Sequence, residues 1–452
     1  MKKISVLVLA GLILLSCLVG CADESGLTPN DPVTLTMWHV YGSQTESPLN
    51  DSINEFNRTV GREKGIVVNV VSVSSSSEID EALTTAAKNT PGAPSLPDLF
   101  TAYPRVAEII GHENLLDWSK YFTEAELSEF VDEFIEEGYF EEKLLMMPIA
   151  KSTELLFLNQ TLFDRFAVEN ELDTNALTSF EGLFSACKSF YTWSNGRDMF
   201  QINDLYHYFL TGMEANGEHL IENGRLNLDA DSFKKVWQPM ASAGIYGGLC
   251  LGNGYASDRW KTGEVISNVG STAGILYLRD YVTYPDSTTE DIETSILPYP
   301  IFENGKAVTV HRGGGLFALK NEDERKNEAA SVFAKWITEA NNNLDFVTSA
   351  GYLPVKREAF DGLPEITDGI ENEKYRLLYS TVNGMSDEYT YCDIPLFEGA
   401  SDTQSAFEKN VKSVLNKAHA EYLDRVSLGE NTEAVLNELI TDSLEELQAL
   451  YD

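Results

Sequence analysis

Between Val33 and Ala102 the hydrophobic period switches repeatedly between two and three-to-four residues. Val33 to Met37 alternates at period two and runs into Trp38-His39-Val40-Tyr41-Gly42. Leu49, Ile53, Phe56 and Val60 then mark one helical face, closed by Gly61. Ile66 to Val73 is rich in β-branched residues and reads as a strand. Ile79, Leu83, Ala86 and Ala87 indicate a second helix, and a Pro/Gly loop from Pro91 to Pro97 leads to a short strand, Asp98 to Ala102. Strand, helix, strand, helix, strand in this order argues for an α/β fold with a doubly wound, mainly parallel sheet.

Beyond it, Thr123 and Glu126 have capping-box spacing, Lys143 to Ala150 reads as a strand reaching a crossover, and Leu155 to Asn159 as another strand. Residues 160–245 read as largely helical, and Gly244 to Gly254 as a long Gly-rich connection. No GxxxxGK[ST] occurs, so a phosphate loop of that type is excluded. Gly263 to Gly270 predicts a strand ending in a small-residue turn, Ile296 to Ile301 and Ala307 to Val310 short strands, and Leu316 to Lys320 a strand entered through three glycines. A helix on Ala330, Phe333, Ala334 and Ile337 is predicted to end at the asparagines 341–343. Two helices, on Phe407, Val411, Val414, Leu415 and on Val435, Leu436, Leu439, Ile440, finish the chain.

The 452 residues carry 33 Lys and Arg against 71 Asp and Glu, a formal charge of −38. Such a chain has little with which to build a basic face, so nucleic acid is excluded as a partner. With 43% apolar residues, global disorder is excluded too. At the start, Lys2 and Lys3 precede an apolar run from Ile4 to Val19 that is too short for a comfortable membrane span. This is the shape of a signal peptide, residues 1–20. Leu18-Val19-Gly20-Cys21 resembles the bacterial lipobox, which implies acylation of Cys21 and a polar tether over 21–31. The expected location is the extracytoplasmic face of the cell membrane, held by lipid. The remaining cysteines, Cys187, Cys250 and Cys392, are widely spaced and odd in number, so no disulfide framework and no zinc ribbon follows.

Five segments in order resemble one family. They are Thr36 to His39 (TMWH), Leu96 to Tyr103 (LPDLFTAY), Lys151 to Phe166 (KSTELLFLNQTLFDRF), Thr262 to Thr272 (TGEVISNVGST), and the block from Gly313 to Phe360 that contains GGGLFALK and SAGYLPVKREAF. Together they are similar to family 1 extracellular solute-binding proteins, the receptors of bacterial ABC importers, and within them to the maltose-binding and glycerol-3-phosphate-binding branches. The resemblance implies a periplasmic-binding-protein-like type II fold: two doubly wound α/β lobes, a hinge and an interlobe ligand cleft. Residues 32–150 plus 312–356 would form one lobe and 151–311 plus 357–452 the other. It also implies a small solute and a membrane permease as partners, a monomer, and no cofactor or metal.

Sugar recognition needs aromatic faces for C–H surfaces and polar groups for hydroxyls. Carried over by position, the resemblance selects Ser76, Ser77, Tyr103, Ser152, Ser271, Thr272, Gly314 and Tyr352. Trp38, His39 and Tyr41 join them after the first strand, and Phe397 as a stacking surface. Two departures bear on the ligand. Pro104 stands where the glycerol-phosphate branch has glutamate, and no Arg or Lys lies between Arg376 and Lys409, where that branch has the arginine that meets phosphate. Arg105 and Arg312 are the cations placed to substitute. A carbohydrate is therefore the expected ligand, with glycerol 3-phosphate or a glycerophosphodiester as the alternative. A surface glycoside hydrolase is the enzymatic rival, but no GxSxG and no HExxH occurs, and carboxylate pairs are uninformative in so acidic a chain.

Overall fold

The computed structural model describes residues 26–41, 47–73, 76–88, 90–386, 388–395, 397 and 399–451, with backbone only at 73, 76 and 77. The expected signal peptide, Cys21 and the tether as far as residue 25 lie outside the described residues. Among the described residues no helix is long and apolar enough to cross a membrane.

In chain order the elements that matter below begin with β1 (Val33–His39), α1 (Pro48–Arg58), β2 (Ile66–Val73), α2 (Ser76–Ala87) and β3 (Leu99–Ala102). There follow β4 (Glu154–Asn159), α3 (Phe180–Trp193), β5 (Phe200–Ile202), α4 (Leu205–Ala215), α5 (Asp231–Tyr246), β6 (Ser267–Ser271), β7 (Thr294–Leu297) and β8 (Val308–Val310). The last third adds β9 (Gly315–Ala318), α6 (Glu324–Ile337), α7 (Ala340–Thr348), α8 (Glu373–Met385), β10 (Thr390–Cys392), α9 (Ala400–Ser427) and α10 (Thr432–Gln448). The chain divides into two compact units, one from Met1–Ala150, Gly314–Phe346 and Pro354–Ala359, the other from Lys151–Gly313, Val347–Leu353 and Phe360–Asp452.

The first unit is built on the sheet β9-β3-β1-β2. β1 runs parallel to β2 and to β3, as the period switching predicts, and β9 closes the sheet antiparallel to β3. Ser47 starts α1 by accepting from the Asn50 N–H, with Pro48 in the first turn. From α1, Asn57 gives its amide to the Val68 carbonyl and accepts the Val68 N–H, so part of the edge of β2 is occupied. Asp98 fastens three elements. It accepts the Thr36 N–H at 2.8 Å and the Thr36 hydroxyl at 2.9 Å, and pairs with Lys326 of α6 at 2.7 Å. Trp38, Ile79, Leu83, Phe100, Val106 and Phe317 belong to one apolar cluster, with the Phe100 and Phe317 rings stacked at 5.3 Å.

The second unit is built on the sheet β7-β4-β6-β5. Here β4 is antiparallel to both β6 and β7, and only β6 and β5 are parallel. Aromatic packing around Phe180, Tyr208, Tyr299 and Phe302 fills the side toward α3 and α4. Phe209, Phe233, Trp237 and Phe407 join α4, α5 and α9.

Several local expectations shift. The capping box at Thr123 and Glu126 forms in full. Lys143 to Ala150 pairs as a strand only at Lys143–Leu144, with one bridge from Met147 to Leu316, and Pro148 lacks the N–H that a ladder needs. The helix on Phe333 ends at Ile337, and the asparagine run lies inside α7 instead. Asn343 is buried there, because its side chain donates to the Ile149 and Ile337 carbonyls and accepts from the Val355 N–H. The Gly-rich stretch is helical as far as Tyr246, after which Gly247 and Gly248 take positive φ.

Candidate functional site

In the first unit, the residues selected at the end of β1 are interior. Trp38 is 5% exposed and packs in the apolar cluster. Tyr41 is buried edge-on against Phe346 at 5.2 Å, and burial raises its phenol pKa. His39 is fully buried; its Nε2 meets Asn50 Oδ1 at 2.9 Å and its Nδ1 accepts the Tyr41 N–H at 3.2 Å, so the ring carries its proton on Nε2. Burial pushes its pKa down to about 4 against the opposing effect of the Asn50 bond, and the ring is neutral at physiological pH. Ser76 and Ser77 open α2, and their side chains lie outside those described. Tyr103 is half-buried, directly after β3. Gly314 lies so close to that strand end that a Cβ would sit 2.1 Å from the Ala102 carbonyl oxygen. Close approach, rather than a positive φ, requires glycine there; Gly313 is the residue with φ of 120°.

The second unit brings five selected residues together. Ser152 and Arg312 exchange backbone hydrogen bonds at 2.8 and 2.7 Å, and on the same segment Lys151 exchanges bonds with Leu353 at 3.1 and 2.6 Å. The Thr272 N–H donates to the Thr153 carbonyl at 2.8 Å. Ser271 ends β6 opposite Glu154, and its hydroxyl accepts from the Ala273 N–H. The turn carrying Tyr352 packs on Thr272: a Cβ on Gly351 would lie 2.9 Å from the Thr272 carbonyl oxygen. The Tyr352 carbonyl accepts the buried Tyr379 hydroxyl at 2.8 Å. Ser152, Ser271, Thr272, Arg312 and Tyr352 thus converge at the carboxyl ends of β5 and β6, where open α/β sheets take their ligands. Phe397 is half-buried just before α9 and makes no described ring contact with them.

At this end lies a group of charges that periodicity and spacing do not reveal. Glu154, 1% exposed, accepts from Arg312 Nη1 at 2.8 Å and meets His207 Nδ1 at 3.0 Å. Arg312 Nη2 lies 3.4 Å from Asp204 Oδ2, and Asp204 caps α4 by accepting the His207 N–H at 3.1 Å. Glu408 of α9 accepts the Tyr206 N–H at 3.2 Å beside Asp204. Burial alone would raise the Asp204 pKa, but His207 and Arg312 hold it below the ordinary carboxylate value. Burial, then the Asp204 charge, pushes Glu408 up to about 7. Below about pH 7 the proton of this carboxyl pair therefore sits on Glu408. Asp204 has a local signal, as a helix N-cap before Leu205. A lone carboxylate at the head of the apolar strand Glu154–Asn159 is the other trace.

In the first unit, Asp80 of α2 meets Arg105, two residues after Tyr103, with Nε at 3.1 Å and Nη2 at 2.6 Å from one carboxylate oxygen. Among the described residues, no group of three or more His, Cys, Asp and Glu side chains could hold a metal ion.

A cyclic α-maltosyl-1,6-maltose-binding protein from Arthrobacter globiformis superposes with a TM-score of 0.63 at 15% identity, covering 92% of this chain and 100% of that one. An ABC substrate-binding protein from Listeria monocytogenes in complex with cycloalternan gives 0.64 at 14% identity, over 93% and 99%. UgpB from Mycobacterium tuberculosis in complex with glycerophosphocholine gives 0.63 at 17% identity, over 92% and 99%. The fold is that of substrate-binding proteins. The family model for bacterial extracellular solute-binding proteins matches residues 51–374, and the chain belongs to that family. Comparison with curated protein sequences finds no significant match.

Proposed function

We propose that this protein is a lipid-anchored receptor that captures a neutral carbohydrate and delivers it to an ABC permease. One observation carries the choice of ligand. Arg312, the cation placed to receive a phosphate, is turned onto Glu154 and Asp204 and is only 22% exposed. A guanidinium already matched by two buried carboxylates has little field left for an anion. The sugars in the complexes of similar fold support this reading, and the glycerophosphocholine complex keeps the phosphodiester as the second reading. In this reading the two compact units act as lobes, and ligand capture is a shift between open and closed populations. Ser152, Ser271, Thr272 and Tyr352 supply polar and aromatic contacts from the second unit, and Tyr103 and Gly314 from the first. The protein binds without turnover, and Cys21 carries the anchor.

A thermal-shift screen of maltose, maltotriose, cyclic tetrasaccharides, glycerol 3-phosphate and glycerophosphocholine tests the reading. A true ligand at a hundredfold excess over Kd stabilises by about 2.7 kcal/mol. A response to the phosphate compounds alone would replace carbohydrate by the second reading, and turnover of a glycoside would overturn the receptor assignment. A Cys21→Ala variant should leave the membrane fraction; its retention there would refute the lipid anchor.

A further inference from the structure

We propose that Arg105 is a ligand-contact residue of the first unit, positioned by Asp80 so that its charge-compensated guanidinium takes the hydroxyls of a neutral sugar rather than an anion. The inference rests on the receptor reading and names the ligand chemistry of one of its residues. The Arg105 side chain is 50% exposed, whereas that of Asp80 is 6% exposed. The carboxylate grips the guanidinium along its Nε–Nη2 edge. Among the described residues Nη1 donates no hydrogen bond, so the far side of the fork is open to a ligand oxygen.

The pair is poorly explained as a stabilising device. A half-exposed arginine contributes little to stability through an ion pair. Burying the carboxylate is costly: burial raises the Asp80 pKa despite Arg105, and Oδ1 has no hydrogen-bond partner among the described residues. What the arrangement does supply is orientation. Asp80 stands on the inner side of α2 between the buried Ile79 and Leu83, so its position is fixed by packing. Arg105 follows Tyr103 at the carboxyl end of β3, and Gly314 places no side chain over that strand end. An aromatic face, a bare backbone and an oriented donor fork, with no net charge, match a ring bearing adjacent hydroxyls.

The test uses the full chain with maltose, maltotriose and the anionic analogue maltobionate, read by calorimetry, with folding checked by circular dichroism. The wild type should prefer the neutral sugars. Arg105→Gln should weaken their binding roughly 10- to 100-fold, the loss of a charge-assisted hydrogen bond, with Arg105→Lys between the two. Asp80→Asn leaves the arginine uncompensated and should move the preference toward maltobionate, which a merely structural role would not do. Unchanged sugar binding in a folded Arg105→Gln variant, or an unchanged preference in Asp80→Asn, overturns the inference while the receptor reading stands. If the wild type binds none of these saccharides, the carbohydrate reading fails and Arg105 loses its role with it.

Discussion

The two units furnish the carboxyl ends of their strands in opposite ways. In the first, Trp38, Phe100 and Phe317 pack as apolar rings, and among the described residues Asp80 and Arg105 form an ion pair beside them. In the second, Glu154 and Asp204 take the Arg312 guanidinium, His207 lies beside both, and Glu408 stands next to Asp204. Apolar packing is non-directional and degrades gradually, whereas a buried ionic group is stable only while every member keeps its partner. The second unit is therefore the one where a single substitution does most damage.

Arg312→Met is the sharpest way to break that contrast. It takes the guanidinium from Glu154 and Asp204, leaving His207 Nδ1 beside both at 3.0 and 3.4 Å, and should cost about 3–5 kcal/mol in denaturant unfolding. Adding Glu154→Leu should recover part of the loss, since an apolar replacement removes the stranded charge. A loss below about 1 kcal/mol for Arg312→Met would mean that the cluster is no more demanding than a surface pair.

The next effect is one of pH. Glu408 holds its proton more tightly in the folded protein than the ordinary carboxylate does, with a pKa near 7 against 4.5. Its contribution to stability is complete below pH 4.5 and is lost as the pH rises through 7, a decline on the order of 3 kcal/mol. Glu408→Gln should flatten the stability curve across this window. A variant whose curve still falls in parallel with the wild type would assign the titration elsewhere. Smallest is Asp98→Ala in the first unit, about 1–2 kcal/mol, because it strands the Thr36 N–H and frees Lys326 yet leaves the surrounding rings in place. A larger loss than that from Arg312→Met would reverse the comparison.

Legibility in the sequence follows the same divide. The first unit's alternation is readable because β1, α1, β2 and α2 are long enough to show their character, and the Pro/Gly loop before β3 marks that four-residue strand. β5 is three residues long and lies between helices, too short for a period, so residues 160–245 read as helix. The asparagines 341–343 look like a helix end because Asn favours caps; only the Ile149, Ile337 and Val355 backbone groups around Asn343 explain why the helix runs through them. At the candidate site, Ser152, Ser271, Thr272, Arg312 and Tyr352 are selected by resemblance and lie together. Their carboxylate partners were not selected. Glu154, Asp204 and Glu408 are far apart in a chain with 71 acidic residues, where no spacing distinguishes a buried carboxylate from a solvated one. Asp80 and Arg105, 25 residues apart, meet only because α2 packs beside β3.

The first unit's sheet has a consequence in time. β3 can be completed only by β9, and β9 is made after the whole run from Lys151 to Gly313. During synthesis the Leu99–Ala102 edge stays open while some 160 residues of the other unit emerge. Such long-range closure slows folding and exposes a bare strand edge to wrong partners. A chain that leaves the ribosome slowly, or meets a holding chaperone, gains most in exactly that interval, and a truncation ending before Gly315 should yield an aggregating product rather than a small soluble lobe.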